Sequence, residues 1–304
     1  MSIRMPSSIE SRQMLLALQQ TQDRLAQNTQ RISSGNRITN PGDDPSGAAT
    51  IVDLGNSIQA NTQFQAQADS ANAFLQSSGD VLNSVTNDLT TLQQLAQQGM
   101  SSTTDAAGKA SIAAQVDALR TNLTALANTK VQGKYLFAGT QTQTQPFNPP
   151  ASGATPYLGD SNSINLSVTV GTTVTTNVTG DKAFYTTDAA GNPIDLFQVT
   201  AALSQGLTSN NTAQIQTAYD NLQRLQSSVT QVQTDLGGRQ AGLTDLKNIL
   251  SSFNVSLQSL QNNVQDTNYP TTITQFTSDQ TVQSATLSAL AKTNSQQNLF
   301  SYLG

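Results

Sequence analysis

One unbroken heptad pattern constrains this chain more than any other feature. From Ile215 the a and d places are taken by Ala218, Leu222, Leu225, Val229, Val232, Leu236, Arg239, Leu243, Leu246, Leu250, Phe253, Leu257, Leu260, Val264 and Thr267. Only Arg239 and Thr267 interrupt the apolar stripe. The alternating three-and-four spacing puts these residues on one face of a helix. At about 1.5 Å per residue the helix is roughly 80 Å long. A strict seven-residue repeat of this length predicts a coiled-coil bundle, with Gly237-Gly238 as the place where a kink is expected, because each glycine costs up to about 1 kcal/mol against Ala.

Two further seams supply partners. Phe64, Ala68, Ala71, Leu75, Ser78, Leu82, Val85, Leu89, Leu92 and Ala96 form the second. Ile112, Val116, Leu119, Leu123, Leu126 and Lys130 form the third, and the short Ser/Thr-rich link from Ser101 to Asp105 implies antiparallel neighbours. The pattern then changes. Gly133 to Thr140 leaves the helix, and Pro146, Pro149, Pro150 and Pro156 exclude a regular one beyond it. Alternation over 164–170 and 174–178 with Gly171 between them reads as a hairpin, and a Gly180-Asp181 turn precedes Phe184-Tyr185. Helix resumes at Leu196, with Leu196, Val199, Leu203 and Leu207 on one face and Asp195 as its cap.

The two ends differ from the middle. Residues 11–32 carry a seam of Ser11, Met14, Leu18, Thr21, Leu25, Asn28 and Ile32, nearly half of it polar. The last segment places Ile273, Phe276, Leu287 and Leu290 in register, with Gln280, Gln283, Asn294 and Gln297 in the other places, and finishes on the apolar cluster Leu299, Phe300 and Leu303. Seams so diluted should be marginal alone, because most helix stability comes from packing a continuous apolar face. A joint separates the N-terminal arm from the bundle. Gly35 is placed to close the first helix in the left-handed conformation, Asn40-Pro41-Gly42 is a turn, and Asp44-Pro45 reads as an N-cap followed by proline at the first helical position. Asn268-Tyr269-Pro270 is the matching interruption at the other end.

The expected fold is mainly α: an elongated heptad-rich bundle built from N- and C-terminal segments together, with a small β-rich domain inserted. The expected divisions are terminal arms (1–35 with 270–304), a helical rod (36–140 with 195–269) and the insertion (141–194).

Composition excludes much chemistry. The chain has no His and no Cys, which removes Ser-His-Asp and Cys-His nucleophiles and His/Cys zinc sites. Asp181, Asp188 and Asp195 lack the spacing of a calcium loop, and Asp43-Asp44 suits a cap and turn far better than a catalytic dyad. No phosphate-binding glycine loop stands in a strand-to-helix context. No catalytic residue, metal or cofactor is therefore expected. A net charge of −5 argues against nucleic acid, which demands a basic stripe. No apolar run approaches the roughly 20 residues of a membrane helix, and the N-terminus lacks a signal peptide's apolar region, so neither membrane insertion nor a cleaved signal is expected. Charged residues make up only 11% of the chain and Glu10 is its sole Glu. A surface of amides and hydroxyls permits close packing of copies.

The stretch Arg31-Ile32-Ser33-Ser34-Gly35, followed by Arg37-Ile38 and Asp43-Asp44-Pro45, resembles the N-terminal region of the bacterial flagellin superfamily. Leu236-Gly237-Gly238-Arg239-Gln240 is similar to its second signature, before the C-terminal helix. Asn40-Pro41-Gly42-Asp43-Asp44-Pro45, the segment Gly133-Lys134-Tyr135-Leu136-Phe137-Ala138-Gly139-Thr140 and the ending Leu299 to Leu303 are similar to the superfamily's hook–filament junction branch rather than to filament flagellins. The chain departs at Thr91-Leu92-Gln93-Gln94-Leu95, where flagellins carry an Arg-x-Arg-Glu-Leu segment. The resemblance implies a non-enzymatic, extracellular flagellar subunit, exported unfolded through the type III apparatus with an export chaperone. It implies a ring of copies, with another hook-associated protein on the hook side and flagellin on the filament side. Assembly is expected to use Met14, Leu18, Leu25, Ile32, Ile273, Phe276, Leu287, Leu290, Leu299, Phe300 and Leu303. Arg31, Gly35, Arg37, Asn40, Pro41, Asp43, Asp44, Pro45 and Arg239 are expected to shape the joint and position one subunit on the next. A filament flagellin is the alternative, and an adhesin or glycan binder using the insertion is a more distant one.

Overall fold

Among the described residues the five heptad segments form the long helices, and two shorter helices accompany them. In this computed structural model residues 7–149, 155–169, 171–188 and 190–303 are described, without the side chains of residues 7, 8, 10, 11, 168, 172 and 293–303. The helices are α1 Ser7–Ser34, α2 Pro45–Met100, α3 Ala106–Ala127, α4 Gly180–Phe184, α5 Leu196–Thr208, α6 Thr212–Gln265 and α7 Tyr269–Leu303. Three antiparallel hairpins accompany them: β1 Lys130–Val131 with β2 Lys134–Tyr135, β3 Asn165–Thr169 with β4 Thr172–Thr175, and β5 Tyr185–Thr187 with β6 Pro193–Asp195. The chain forms two compact units, one of residues 1–60 with 253–304 and one of residues 61–252.

In the unit of residues 61–252 the seams become the core. Ala68, Ala71, Leu75, Ser78, Leu82, Val85, Leu89, Leu92 and Ala96 of α2 are buried, with Ile112, Val116 and Leu123 of α3 and Ile215, Ala218, Leu222, Leu225, Val229, Leu236, Leu243 and Leu250 of α6. Ser78 is tolerated because its hydroxyl donates to the Phe74 carbonyl at 3.0 Å, so no polar atom is stranded. Helix α6 continues through Gly237-Gly238 without a break; the bundle's packing outweighs the local propensity cost. Lys130, the last place of the third seam, has left the helix for β1.

The amide-rich composition also finds a role here. Gln93 donates to Gln226 at 2.6 Å, Gln97 to the Tyr219 hydroxyl at 2.8 Å and Gln233 to Asn83 at 2.9 Å, so amides link α2 to α6 where charged pairs would otherwise serve. Lys247 and Asp69 form an ion pair at 2.7 Å between the same helices.

The inserted segment is built around aromatic rings more than around a sheet. Phe147 lies 5.1–5.3 Å, centroid to centroid, from Tyr157, Phe184 and Phe197. Phe137 meets Phe184 edge to face at 5.1 Å. This accounts for the Tyr-Leu-Phe-Ala segment: Leu136, Phe137 and Ala138 are fully buried. Asn128, just past α3, accepts from the Phe147 amide at 3.0 Å and donates to the Phe147 carbonyl at 2.8 Å, so one side chain mimics a strand partner. The Tyr157 hydroxyl donates to the Phe137 carbonyl at 2.7 Å, and burial of the ring pushes its pKa up to about 12. Gly180 opens the short helix α4, where a Gly-Asp turn was expected. A Cβ there would sit 2.6 Å from the Phe147 and Tyr157 rings, so the glycine is needed for ring-to-backbone packing. Asp195 caps α5 by accepting from Phe197 N–H at 2.8 Å and also holds Thr155 N–H at 2.6 Å.

Removing the central ring should expose how much of this unit depends on it. Phe147→Ala is expected to lower the unfolding free energy by about 3–5 kcal/mol, measured as a shift in the urea midpoint at unchanged m-value.

Candidate functional site

Four helix ends meet in the unit of residues 1–60 with 253–304. Helix ends leave unsatisfied N–H and C=O groups, and here each end is closed by the others. Gly35 terminates α1 with φ at +75°, the left-handed region expected for it, and its N–H reaches the Arg31 carbonyl at 2.9 Å. Its own carbonyl accepts from Thr267 N–H at 2.8 Å, and Arg37 N–H donates to the Gln265 carbonyl at 2.7 Å. These bonds flank an antiparallel bridge between Asn36 and Asp266. The two interruptions read separately in the sequence are thus one paired joint.

Arg37 spans it. Its guanidinium donates to the Val264 carbonyl at 2.9 Å, near the end of α6, and to Asp44 Oδ2 at 3.1 Å, at the start of α2. Asp44 Oδ1 accepts from Gly47 N–H at 2.9 Å, which makes it the N-cap, with Pro45 at the first helical position. Asp43 Oδ2 accepts from Asn40 N–H and Thr39 N–H at 3.0 and 3.1 Å and from the Thr39 hydroxyl at 3.0 Å, closing the Asn40-Pro41-Gly42 turn. Both carboxyls are held below the usual carboxylate range, Asp43 chiefly by the Asn40 amide and Asp44 chiefly by the Gly47 amide and then Arg37. Asn268 starts α7 by accepting from Thr271 N–H at 3.2 Å, with Thr267 and Thr272 hydroxyls bonded at 2.9 Å beneath it. The Tyr269 hydroxyl lies 3.0 Å from where a Cβ on Gly35 would stand.

Beyond the joint, α1 and α7 pack on each other as an antiparallel pair. Met14, Leu18, Leu25 and Ile32 are half-buried, as are Phe276 and Leu290. Ile273 and Leu287 are not in this seam: they are 47% and 49% exposed. The buried face of α7 instead runs Thr272, Phe276, Asp279, Gln283, Thr286 and Leu290. A polar cluster lies on that face. Asn28, 5% exposed, donates to Asp279 Oδ2 at 3.1 Å, and Arg24 reaches Asp279 Oδ1 at 3.2 Å and the Thr21 hydroxyl at 3.2 Å. Thr21 is also buried and donates to the Ala17 carbonyl at 2.8 Å. Sequence spacing did not expose this cluster, although Asn28 on an otherwise apolar a/d row was its visible trace. The side chains of Leu299, Phe300 and Leu303 lie outside the described residues. Arg31 is half-buried in α1, while Arg37, Asn40, Pro41, Asp43 and Pro45 are exposed.

Arg239 stands in the other unit. It donates to the Asn177 carbonyl at 3.0 Å and pairs with Asp235 at 2.6 Å. Asn177 is buried and fixes Ile164 N–H at 2.8 Å and the Asn162 carbonyl at 3.0 Å. The one charge in the long seam is therefore bonded to the base of the β3–β4 hairpin.

Nothing in this geometry resembles a catalytic centre; the arrangement closes helix ends and sets one helix against another. The family model of the bacterial flagellin N-terminal helical region matches residues 7–142, which contain α1, the joint and the first bundle helices. Over residues 7–142 the chain matches the N-terminal region of the flagellins. Flagellar hook-associated protein 3 of Salmonella typhimurium is 27% identical over 283 residues, covering 87% of this chain and 87% of that protein. The protein of the same name from Escherichia coli is 31% identical over 167 residues, covering 54% of this chain and 52% of that protein. The fold is shared with a putative flagellar hook-associated protein from Vibrio parahaemolyticus, with a TM-score of 0.68 at 20% identity over 74% of this chain and 100% of that one. This is a structural flagellar family. No helix among the described residues is long and apolar enough to cross a membrane.

The joint should respond to acid. Because Asp43 and Asp44 are lowered in the folded state, their stabilisation is complete above their ordinary value of 3.8 and is lost as pH falls through the lowered values. Protection factors of the Gly47 and Asn40 amides, taken relative to intrinsic exchange at each pH, are expected to fall below pH 4, and Asp44→Asn, which keeps the cap acceptor, should remove the Gly47 part of that dependence. Gly35→Ala forces a side chain into the left-handed region and should cost about 1–2 kcal/mol, read as faster exchange at Thr267.

Proposed function

We propose that this chain is a structural subunit of the junction between hook and filament in the bacterial flagellum, and that it assembles through its terminal helices. The observation that carries the assembly mechanism is the distribution of apolar surface. All the exposed large hydrophobic side chains among the described residues, apart from Leu158 and Ile249, belong to the unit of residues 1–60 with 253–304. They include Leu15 and Leu16 of α1, Phe253 and Leu260 of α6, and Ile273, Val282 and Leu287 of α7. Exposed apolar side chains gathered in one unit mark a surface for another protein. The near full-length likeness to a hook-associated protein supports the location.

The mechanism is coupled folding and assembly. Fixing each backbone residue costs about 1–2 kcal/mol, and the α1–α7 seam returns little of that, because its apolar members are only half-buried and its best-buried members are Thr21, Asn28 and Thr272. The arms are disordered in the free subunit and become helical when neighbours cover Leu15, Leu16, Ile273 and Leu287. Leu299, Phe300 and Leu303 join that contact. Arg31, Arg37, Asp43 and the Asn40-Pro41-Gly42 turn, exposed or half-buried around the joint, position one copy on the next.

In this reading residues 1–35 with 270–304 are the assembly arms, 36–140 with 195–269 the rod and 141–194 a surface domain. The subunit is non-enzymatic and extracellular. It is exported unfolded through the type III apparatus without a cleaved signal, with a chaperone holding it before export. Copies form a ring, with another hook-associated protein on the hook side and flagellin on the filament side.

Deleting the gene should leave cells non-motile and shedding flagellin monomer into the medium; retention of flagellin on the cell overturns the junction reading. Limited proteolysis of the purified subunit should remove both arms while residues 61–252 resist, and termini as resistant as the core would overturn coupled folding.

A further inference from the structure

Helix α7 carries two faces that could pack on α1, and they share half their members. Phe276, Gln283 and Leu290 belong to both. One face completes them with Ile273, Gln280 and Leu287, the other with Thr272, Asp279 and Thr286. Burial of apolar area alone favours the first. The structure takes the second, leaving Ile273 and Leu287 exposed. The side chains that differ in what they can bond across the helix pair are those around Asp279: Asn28 at 3.1 Å and Arg24 at 3.2 Å, with Arg24 also held to Thr21.

We propose that Arg24, Asn28 and Asp279 act as a rotational selector that turns the apolar face of α7 outward for the neighbouring copy. Turning Ile273 and Leu287 inward carries Asp279 away from α1. Asn28 and Arg24 then lose the carboxylate they share, and Gln280, which turns inward in its place, offers only a neutral acceptor, a weaker partner for a guanidinium and a buried amide. A buried polar contact that fixes one arrangement among several apolar ones is a known use of such residues in helix pairs. The joint favours the same face at the base of α7, where the Thr272 hydroxyl bonds that of Thr267 at 2.9 Å, and the Asp279 cluster holds that face farther along the helix. The inference rests on the reading of the arms as assembly elements.

The test uses the full chain, restored to a strain lacking its own copy, with flagella isolated and oxidised. The chain has no cysteine, so introduced pairs report alone. Two turns beyond the Arg24–Asp279 pair, α1 presents Leu18 and α7 presents Thr286 inward and Leu287 outward. Disulfides demand close Cα atoms and aligned Cβ vectors, so Leu18→Cys with Thr286→Cys should cross-link within one chain and Leu18→Cys with Leu287→Cys should not. Asp279→Ala should move the cross-link from position 286 to position 287. Arg24→Asp with Asp279→Arg, which keeps the ion pair and leaves the Asn28 amide oxygen as an acceptor, should return it to 286.

Cross-linking at 287 in the parent, or an unchanged pattern in Asp279→Ala, overturns the selector. Should Asp279→Ala fail to enter flagella, the charge-exchanged variant decides: recovery of entry and of the 286 cross-link supports the selector, and failure of both overturns it. Absence of the parent cysteine chain from isolated flagella, when the cysteine-free chain is also absent, overturns the functional reading instead.

Discussion

Every long helix must end, and the groups left unpaired at its end must be satisfied. In this chain that constraint is met collectively. The ends of α1 and α6 and the beginnings of α2 and α7 share a single set of bonds: Gly35 with Thr267, Arg37 with Gln265, Val264 and Asp44, and Asp44 with Gly47. Local caps at Gly35, Asp44 and Asn268 are tied to one another across the joint. The N- and C-terminal segments, more than two hundred residues apart in sequence, therefore support each other's ordering at this point. That interdependence suits a subunit whose termini are proposed to acquire structure during assembly.

The heptad arithmetic behind the bundle was legible because burial there is two-sided. In α2, from Ala68 to Ala96, every seam place is covered, and the sequence periodicity maps directly onto the core. The same arithmetic lost its power in the arms. With only two helices packed together, each side chain is at best half covered, so the free-energy difference between neighbouring faces of α7 is small. One carboxylate with two partners can then decide the face, and Ile273 and Leu287 end on the outside. Heptad counting measures apolar stripes and has no way to weigh Asn28 against Asp279 across 251 residues.

The joint shows the complementary case. Gly35, Asp44 and Pro45 were readable one at a time, because capping and turn preferences are local consequences of backbone geometry. What could not be read was the pairing of Asn36 with Asp266, a contact with no local signature. Likewise, Arg239 announced itself only as a flaw in the long seam. Its partner is a backbone carbonyl at Asn177, and a carbonyl leaves no trace in residue identity. In the insertion, alternation found the β3–β4 hairpin, while the cluster of Phe137, Phe147, Phe184 and Phe197 has no periodicity to find.

The contrast between the two units bears on how a subunit can be both exportable and specific. A terminal pair with a fully apolar seam would be stable alone, and would close before meeting a neighbour. A fully polar pair would gain nothing from meeting one. Here the inward seam is mixed and the apolar side chains Leu15, Leu16, Ile273, Val282 and Leu287 are left outside, which in the proposed assembly defers the larger share of burial until another chain arrives. The ion pair of the exposed Arg24 with Asp279 contributes little stability, yet it and the contacts of buried Thr21 and Asn28 are directional where apolar contacts are not. In the proposed assembly stability comes from the neighbour and geometry from the chain itself, an arrangement that lets identical subunits join in one way without being sticky in every other.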